Sequence, residues 1–544
     1  MRILSILPVS GSLLLCGTLA IAQASTSGSG EKCEVLAKAD LANVNITTAT
    51  AVAAGTFVGP PQPFTGRNLS DFYKTLPGFC RVVAHAKPTP DSDIVIELWM
   101  PLAGWNGKLQ GLGNGGFAGL IDTFELGGSI AKGYAAVATD AGHAGSPIDA
   151  AWALGHPEKI ADFGYRGIHE MVRIGKQLVP QFYGSPAKHA YFAACSDGGR
   201  EALMEAQRYP DDFDGILAGA PASDWTHLLS LAAFDTQTLT ANPASFIPQV
   251  KIGPLAKAVD AACDKLDGVA DGILNDPRQC HFDPASIECK DGEDHDTCLT
   301  STQVATLKTI YAGLHDASGK QIFPGYLPGA EGGFNGWGTW ITGPAPERSA
   351  LAAFGKGYFS DMVFDNKDWT FKSFNLATDL PTAKEKTAAA LDATNPDLSA
   401  FRAHGGKLIL YHGWNDPAIP ALSTVNYYEE VIAKMGHANT DSFVRLYMLP
   451  GMQHCGGGPG PDTFGQSLSF PSDDPQHNIR IALENWVEKG TPPASLIASK
   501  MGTGASQNTA VMTRPMCPYP ESAQYKGSGD TNSAENFTCS NPKR

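Results

Sequence analysis

Short apolar runs that end in glycine or turn residues recur along the chain, at 93–101 (DIVIELWMP), 108–116 (KLQGLGNGG), 134–142, 190–199, 215–221, 407–416 and 444–455. Most lack strict polar alternation, the pattern of strands covered on both faces. Helical periodicity appears between them, at 162–183 and 200–210. Strand and helix alternate, so the pattern predicts a mostly parallel α/β sheet. The alternation stops near Trp225 and resumes near Phe401. Residues 226–400 hold four cysteines, acidic loops and a Gly/Trp-rich stretch, EGGFNGWGTW (331–340). They read as an inserted lid domain between two parts of one core, 25–225 and 401–544.

Composition narrows the class. Of 544 residues, 43% are hydrophobic and 17% charged, too apolar for disorder. Lys and Arg number 40 against 55 Asp and Glu, a net charge of -15 with no basic cluster, which argues against a nucleic-acid partner. Residues 1–24 carry Arg2, an apolar run and a small-x-small end at Ala22-Gln23-Ala24. That is a secretory signal peptide. The other reading, a membrane anchor, meets a run broken by Pro8, Ser10 and Ser12 and shorter than the ~20 residues a span needs. A secreted protein is expected, extracellular or periplasmic, with no membrane association after cleavage.

Past the signal, ten cysteines remain, an even number for an oxidising compartment. Cys33 with Cys80, Cys263 with Cys280, Cys289 with Cys298, and Cys517 with Cys539 are sequence neighbours able to staple local loops, although spacing alone does not fix connectivity. Cys195 and Cys455 are left over.

The sharpest chemical signal is Ala194-Cys195-Ser196-Asp197-Gly198-Gly199, a strand entering a helix through a serine with small neighbours. It approximates the G-x-S-x-G nucleophile elbow, with Ala194 in place of the first glycine. Alone, Ser196 could equally be a helix N-cap. Asp416 follows the KLILYHG strand and His454 follows VRLYML. The order Ser, Asp, His at strand ends is that of an α/β-hydrolase triad, and a serine hydroxyl needs such a base and orienting carboxylate to attack. The bland readings are a strand-end cap and a loop histidine. A Ser196–His454 hydrogen bond would bring Cys195 and Cys455 to the Cα separation a disulfide prefers, about 5.5 to 6 Å. A bridge between them is therefore expected.

Acyl transfer also needs oxyanion donors. The Asp197 amide is one candidate, and Gly116, from the Gly113–Gly116 loop, the other. Residues 111–116 also fit G-x-G-x-x-G literally, with Asp140 at a later strand end, but the FAGLIDTFELGG that follows opens a helix poorly. In the lid, DKLDGVADGI (264–273) sets three carboxylates among glycines inside a potential Cys263–Cys280 staple. Such hard oxygen donors suit structural Ca²⁺, held by Asp264, Asp267 and Asp271 with the Val269 and Ile273 carbonyls. A solvated acidic turn is the alternative.

These features together resemble the tannase and feruloyl esterase family. The matches are Cys195-Ser196 with Gly198-Gly199, His412-Gly413 with Asp416, Gly451-Met452 with His454-Cys455, the DxxDGxxDGI loop, WNGK followed by GNGG, and Tyr525–Asp530. The resemblance implies a Ser-His-Asp carboxylic ester hydrolase whose calcium-bearing lid closes over an aromatic acyl group. Its substrates would be small aromatic esters or plant polyphenol and cell-wall esters: feruloyl and other hydroxycinnamoyl esters, with galloyl esters or mono(hydroxyethyl) terephthalate as alternatives. The terephthalate relatives hold the substrate carboxylate with a lid arginine, and residues 351–364 have none. Trp225, His227, Trp337, Trp340 and Ile419 are candidate acyl-pocket residues by location. A non-catalytic binding protein on the same scaffold and a serine peptidase are the rivals.

Overall fold

The computed structural model describes residues 30–62, 66–467, 472–507 and 509–541, so the signal-peptide reading of 1–24 lies outside it. Among the described residues one sheet runs β1-β2-β3-β5-β4-β6-β7-β10-β11. Its strands are β1 (Val44–Val52), β2 (Phe79–Ala86), β3 (Ile94–Pro101), β4 (Lys108–Leu112), β5 (Ala135–Thr139), β6 (His189–Cys195), β7 (Gly215–Gly219), β10 (Lys407–Gly413) and β11 (Val444–Leu449). From β5 to β11 neighbours are parallel, while β1, β2 and β3 pair antiparallel with one another and β3 with β5. The fold is that of an α/β-hydrolase.

The apolar runs locate every strand from β3 onward in this sheet. They miss β1 and β2, and the reason is physical. Only Ala49 of β1 is buried, so VNITTATAV carries threonines where a central strand carries aliphatics. β5 and β7, by contrast, are buried at every position. The helix Gly167–Tyr183 lays Met171, Ile174 and Leu178 against Leu109 and Val137 on one face. The helix Ile479–Lys489 lays Leu483 and Trp486 against Tyr191, Leu217 and Ile409 on the other. Each fully buried side chain of this kind contributes about 1.5–3 kcal/mol.

Between β7 and β10 the chain builds a second, mostly helical apolar core. The helix Trp225–Leu239 packs there with Phe359, Trp369, Phe374 and Trp337, beside the short hairpin of β8 (Leu314–His315) and β9 (Gln321–Phe323). Two further hairpins follow the sheet, β12 (Leu496–Met501) with β13 (Ala510–Met516), and β14 (Ser522–Tyr525) with β15 (Phe537–Ser540). The ten cysteines past residue 29 pair as Cys33–Cys80, Cys195–Cys455, Cys263–Cys280, Cys289–Cys298 and Cys517–Cys539. No helix among the described residues is long and apolar enough to cross a membrane.

Candidate active site

β6 turns into the helix Asp197–Arg208 through Ser196, whose φ of 70° and ψ of -124° place it in a region L-residues rarely adopt. Such strain costs about 1–3 kcal/mol and persists only where the surroundings hold it. Here the Ser196 amide donates to Gly219 O (2.9 Å), and its carbonyl accepts from Gly199 and Ala222 (3.0 and 3.2 Å). The small neighbours are obligatory. A Cβ on Gly198 would sit 2.4 Å from the Ala194 Cβ, and one on Gly199 2.3 Å from Gly219 O.

The elbow aims Ser196 at a histidine from the far end of the sequence. Ser196 Oγ lies 2.8 Å from His454 Nε2, and His454 Nδ1 lies 2.8 Å from Asp416 Oδ2. Asp416, wholly buried, can only accept, so Nδ1 carries the imidazole proton and Nε2 is left bare to accept from the serine hydroxyl. Oδ1 of Asp416 accepts from the Ala418 and Ile419 amides (2.8 and 2.9 Å), and Oδ2 also accepts from His412 Nε2–H (3.0 Å). Burial acts to raise this carboxyl, but His454 and His412 outweigh it and hold the group well below the usual carboxylate range. The expected Cys195–Cys455 bridge is present with a Cα–Cα distance of 6.0 Å, locking the residue before Ser196 to the residue after His454.

Three further contacts hold the site, and sequence reasoning missed them because their residue types are generic. Asn335 Nδ2 donates to the carbonyls of His454 and Gly456, while Trp340 Nε1 donates to Asn335 Oδ1 and its ring meets the His454 ring edge-on at 4.9 Å. Glu201 accepts from both the backbone and side-chain nitrogens of Asn114 (2.9 and 3.0 Å), tying the Gly113–Gly116 loop to the nucleophile's helix. Arg200, fully buried, donates to Asp197 Oδ1 (2.6 Å) and to Gly164 O, which fixes the first turn of that helix. Among the described residues the amides of Asp197, Gly115 and Gly116 donate to no protein acceptor and the three residues line the same cavity. Gly116 stands at φ 60°, and a Cβ there would meet Pro147 O at 2.2 Å. The dinucleotide reading fails here. The loop runs on through irregular chain to a helix that begins only at Thr123, and Asp140 is spent on the amides of Val95 and Gly142.

Ser196 and His454 open into a cavity of about 760 Å³. Trp225, Trp340 and Ile419 line it as expected, joined by Leu229, Leu351 and Phe354. His227 and Trp337 do not. His227 is paired with Asp224 and stacked on Phe323, and Trp337 is fully buried against Tyr311 and Tyr326. The cavity wall carries the carboxylates Asp122 and Glu125 and, among the described residues, no Lys or Arg.

The acidic loop lies elsewhere, against the C-terminal hairpins, where Asn275 donates to Ala523 O and Arg514 pairs with Asp271 Oδ2. The three carboxylates do not converge as a ready-made cluster, and no group of three or more His, Cys, Asp or Glu among the described residues does so. Asp264 Oδ1 takes the amides of Asp271 and Gly272, and Asp267 Oδ1 takes that of Val269. Among the described residues each keeps its Oδ2 without a protein donor, and the Val269 and Ile273 carbonyls accept from no amide. Both Asp271 oxygens already accept, from Ile273 N and Arg514, so hard oxygen donors remain for a cation of the calcium type at Asp264, Asp267 and the two carbonyls. Burial, with Asp271 and Asp264 adding to it, pushes the Asp267 carboxyl up to about 6.

A family model described as tannase and feruloyl esterase matches residues 80–540. The chain belongs to this family. It is accordingly a carboxylic ester hydrolase. An uncharacterized esterase of Xanthomonas campestris pv. campestris is 38% identical over 559 residues, covering 98% of this chain and 96% of that protein. A probable feruloyl esterase B of Aspergillus clavatus is 32% identical over 536 residues, covering 97% and 98%. The crystal structure of feruloyl esterase B from Aspergillus oryzae is similar with a TM-score of 0.85 at 29% identity, over 94% of this chain and 100% of that one. Tannin acyl hydrolase from Aspergillus niger, at 23% identity and a TM-score of 0.71 over 92% of each chain, shares the fold.

Proposed function

We propose that the protein is a secreted esterase that cleaves feruloyl-type aromatic esters through Ser196, His454 and Asp416. The hydrogen-bonded chain from Ser196 Oγ to Asp416 at the mouth of an apolar cavity carries the reading. Ser196 Oγ attacks the ester carbonyl while His454 Nε2 takes its proton, and Asp416 stabilises the imidazolium that forms. The amides of Asp197 and Gly116 receive the oxyanion. His454 then protonates the leaving alcohol, and the acyl-enzyme is released by water that the same histidine activates. Residues 226–400 act as the lid over the two core parts.

The wall favours neutral aromatic esters. Trp225, Leu229, Phe354 and Ile419 suit a planar acyl group, and among the described residues no Lys or Arg lines the wall to pair a substrate's own carboxylate, Arg480 being spent on Glu125 at 3.5 Å. Hydroxycinnamoyl esters of plant cell walls fit this better than terephthalate monoesters, and galloyl esters rank between. Structural Ca²⁺ is proposed at Asp264, Asp267 and Asp271 with the Val269 and Ile273 carbonyls, binding the loop without entering the chemistry. Export follows from the signal-like residues 1–24 and is supported by the five disulfides. Comparing kcat/KM for methyl ferulate, methyl gallate and mono(hydroxyethyl) terephthalate tests the substrate. Methyl ferulate should lead and the terephthalate should trail by at least about tenfold, the discrimination a modest pocket supplies. A terephthalate preference would overturn the substrate assignment.

A further inference from the structure

His412 is the penultimate residue of β10, four residues before Asp416, and is fully buried. Its Nε2 faces two acceptors, Asp416 Oδ2 at 3.0 Å and Ile419 O at 3.2 Å, so that nitrogen carries the proton. Its Nδ1 lies 2.7 Å from Thr424 Oγ1, on a residue that is itself fully buried and whose hydroxyl has no other partner among the described residues. Thr424 therefore donates to a bare Nδ1, and the ring is held in one neutral tautomer. Asp416 Oδ2 is thus shared by two imidazoles. Ile419 closes the ring, giving its amide to Asp416 Oδ1 and its carbonyl to His412 while its side chain lines the cavity.

We propose that His412, set by Thr424, is a positioning residue for the catalytic chain: it fixes Asp416 and limits how tightly that carboxylate holds His454. The inference rests on the triad reading above. A base that must gain and lose a proton in each turnover works best when its carboxylate partner is not too strong a sink. A second N–H donor on the same oxygen draws off part of that strength and leaves the geometry intact. Other titratable groups face the chain from packed elements. Tyr326 and Asp235 are the other titratable groups felt near Asp416, and burial raises both above their usual ranges. The Asp197–Arg200 pair lies beneath Ser196.

The test compares His412→Phe, which keeps the volume and removes the donor, with His412→Gln, which restores an N–H. Rates are taken per active site titrated with a fluorophosphonate, so that loss of folded enzyme does not count. In His412→Phe, kcat should fall about tenfold to a hundredfold, the usual effect of an outer-shell partner, with KM little changed. The acidic limb of kcat/KM should move to higher pH, because a carboxylate with one donor fewer holds the imidazolium more tightly. His412→Gln should recover most of the rate and return the limb. Thr424→Val, which removes the donor that seats the ring through Nδ1, should show the same shift in smaller measure. Equal Phe and Gln variants, or an unmoved limb at wild-type per-site kcat, overturn the proposal. If His412→Phe does not fold, an unmoved limb in Thr424→Val overturns it equally. A wild-type enzyme that fails to react with the fluorophosphonate would instead sink the triad reading.

Discussion

Two groups of carboxylates are taken into the molecule, and they are treated in opposite ways. Asp416 receives two amides and two imidazole N–H groups and is held far below the usual range although it is wholly buried. Asp267 receives one amide, shares its loop with Asp264 and Asp271, and is pushed up. A buried carboxylate stays anionic where the fold itself supplies donors, and needs an outside cation where donors run short. Asp416 is finished by folding. Asp267 in the 264–273 loop is not, and the proposed calcium would supply what it lacks.

The largest contrast comes from removing the nucleophile that Asp416 serves. Ser196→Ala should lower kcat by about a millionfold, with the thermal midpoint barely moved, as triad members act as a unit. Turnover within tenfold of wild type would remove the triad's role. Next, matched amide substitutions separate the two regions. Asp416→Asn should cost about 10⁴-fold in kcat by presenting the wrong hydrogen-bonding partner to His454. Asp267→Asn should leave kcat within about threefold but abolish the response to chelator. Equal losses in the two variants would erase the distinction.

A smaller effect is expected from calcium itself. Chelation should lower the thermal midpoint by a few degrees, restored by Ca²⁺ and not by Mg²⁺. The smallest is a pH effect confined to the metal-free protein. Asp267, pushed up to about 6, binds a proton that the unfolded chain, titrating near ~3.9, releases. Its contribution is therefore full below the unfolded value and lost as pH rises through about 6. Metal-free thermal midpoints should fall across that window, and the fall should shrink in Asp267→Asn and on adding Ca²⁺.

The catalytic corner was legible in the sequence to the extent that chemistry dictates residue type. Ser196, Asp416 and His454 follow strands in the right order, and Cys195 and Cys455 flank two of them, so a single geometry satisfies both hydrogen bond and disulfide. The supports were not legible. Glu201 reaches Asn114 across 87 residues and Asn335 reaches His454 across 119, and neither pairing leaves a local pattern. His412 stood out only as part of a motif with Gly413 and Asp416, and what it does there is not visible until Thr424 is seen beside it. β1 escaped because an edge strand is half-exposed and loses the continuous apolar run, and β2 because alternate positions from Arg81 to His85 are only partly buried and polar residues interrupt its run. His227 and Trp337 were placed in the pocket by their location along the chain, which packing against Phe323, Tyr311 and Tyr326 overrides.

The central claim is that Ser196 is an activated nucleophile because His454, held by Asp416, takes its proton. Labelling with a fluorophosphonate followed by peptide mapping tests it most directly. The account predicts one rapidly formed adduct, on Ser196, whose rate collapses in His454→Ala. An adduct on another residue, or labelling of Ser196 at an undiminished rate in His454→Ala, would contradict it.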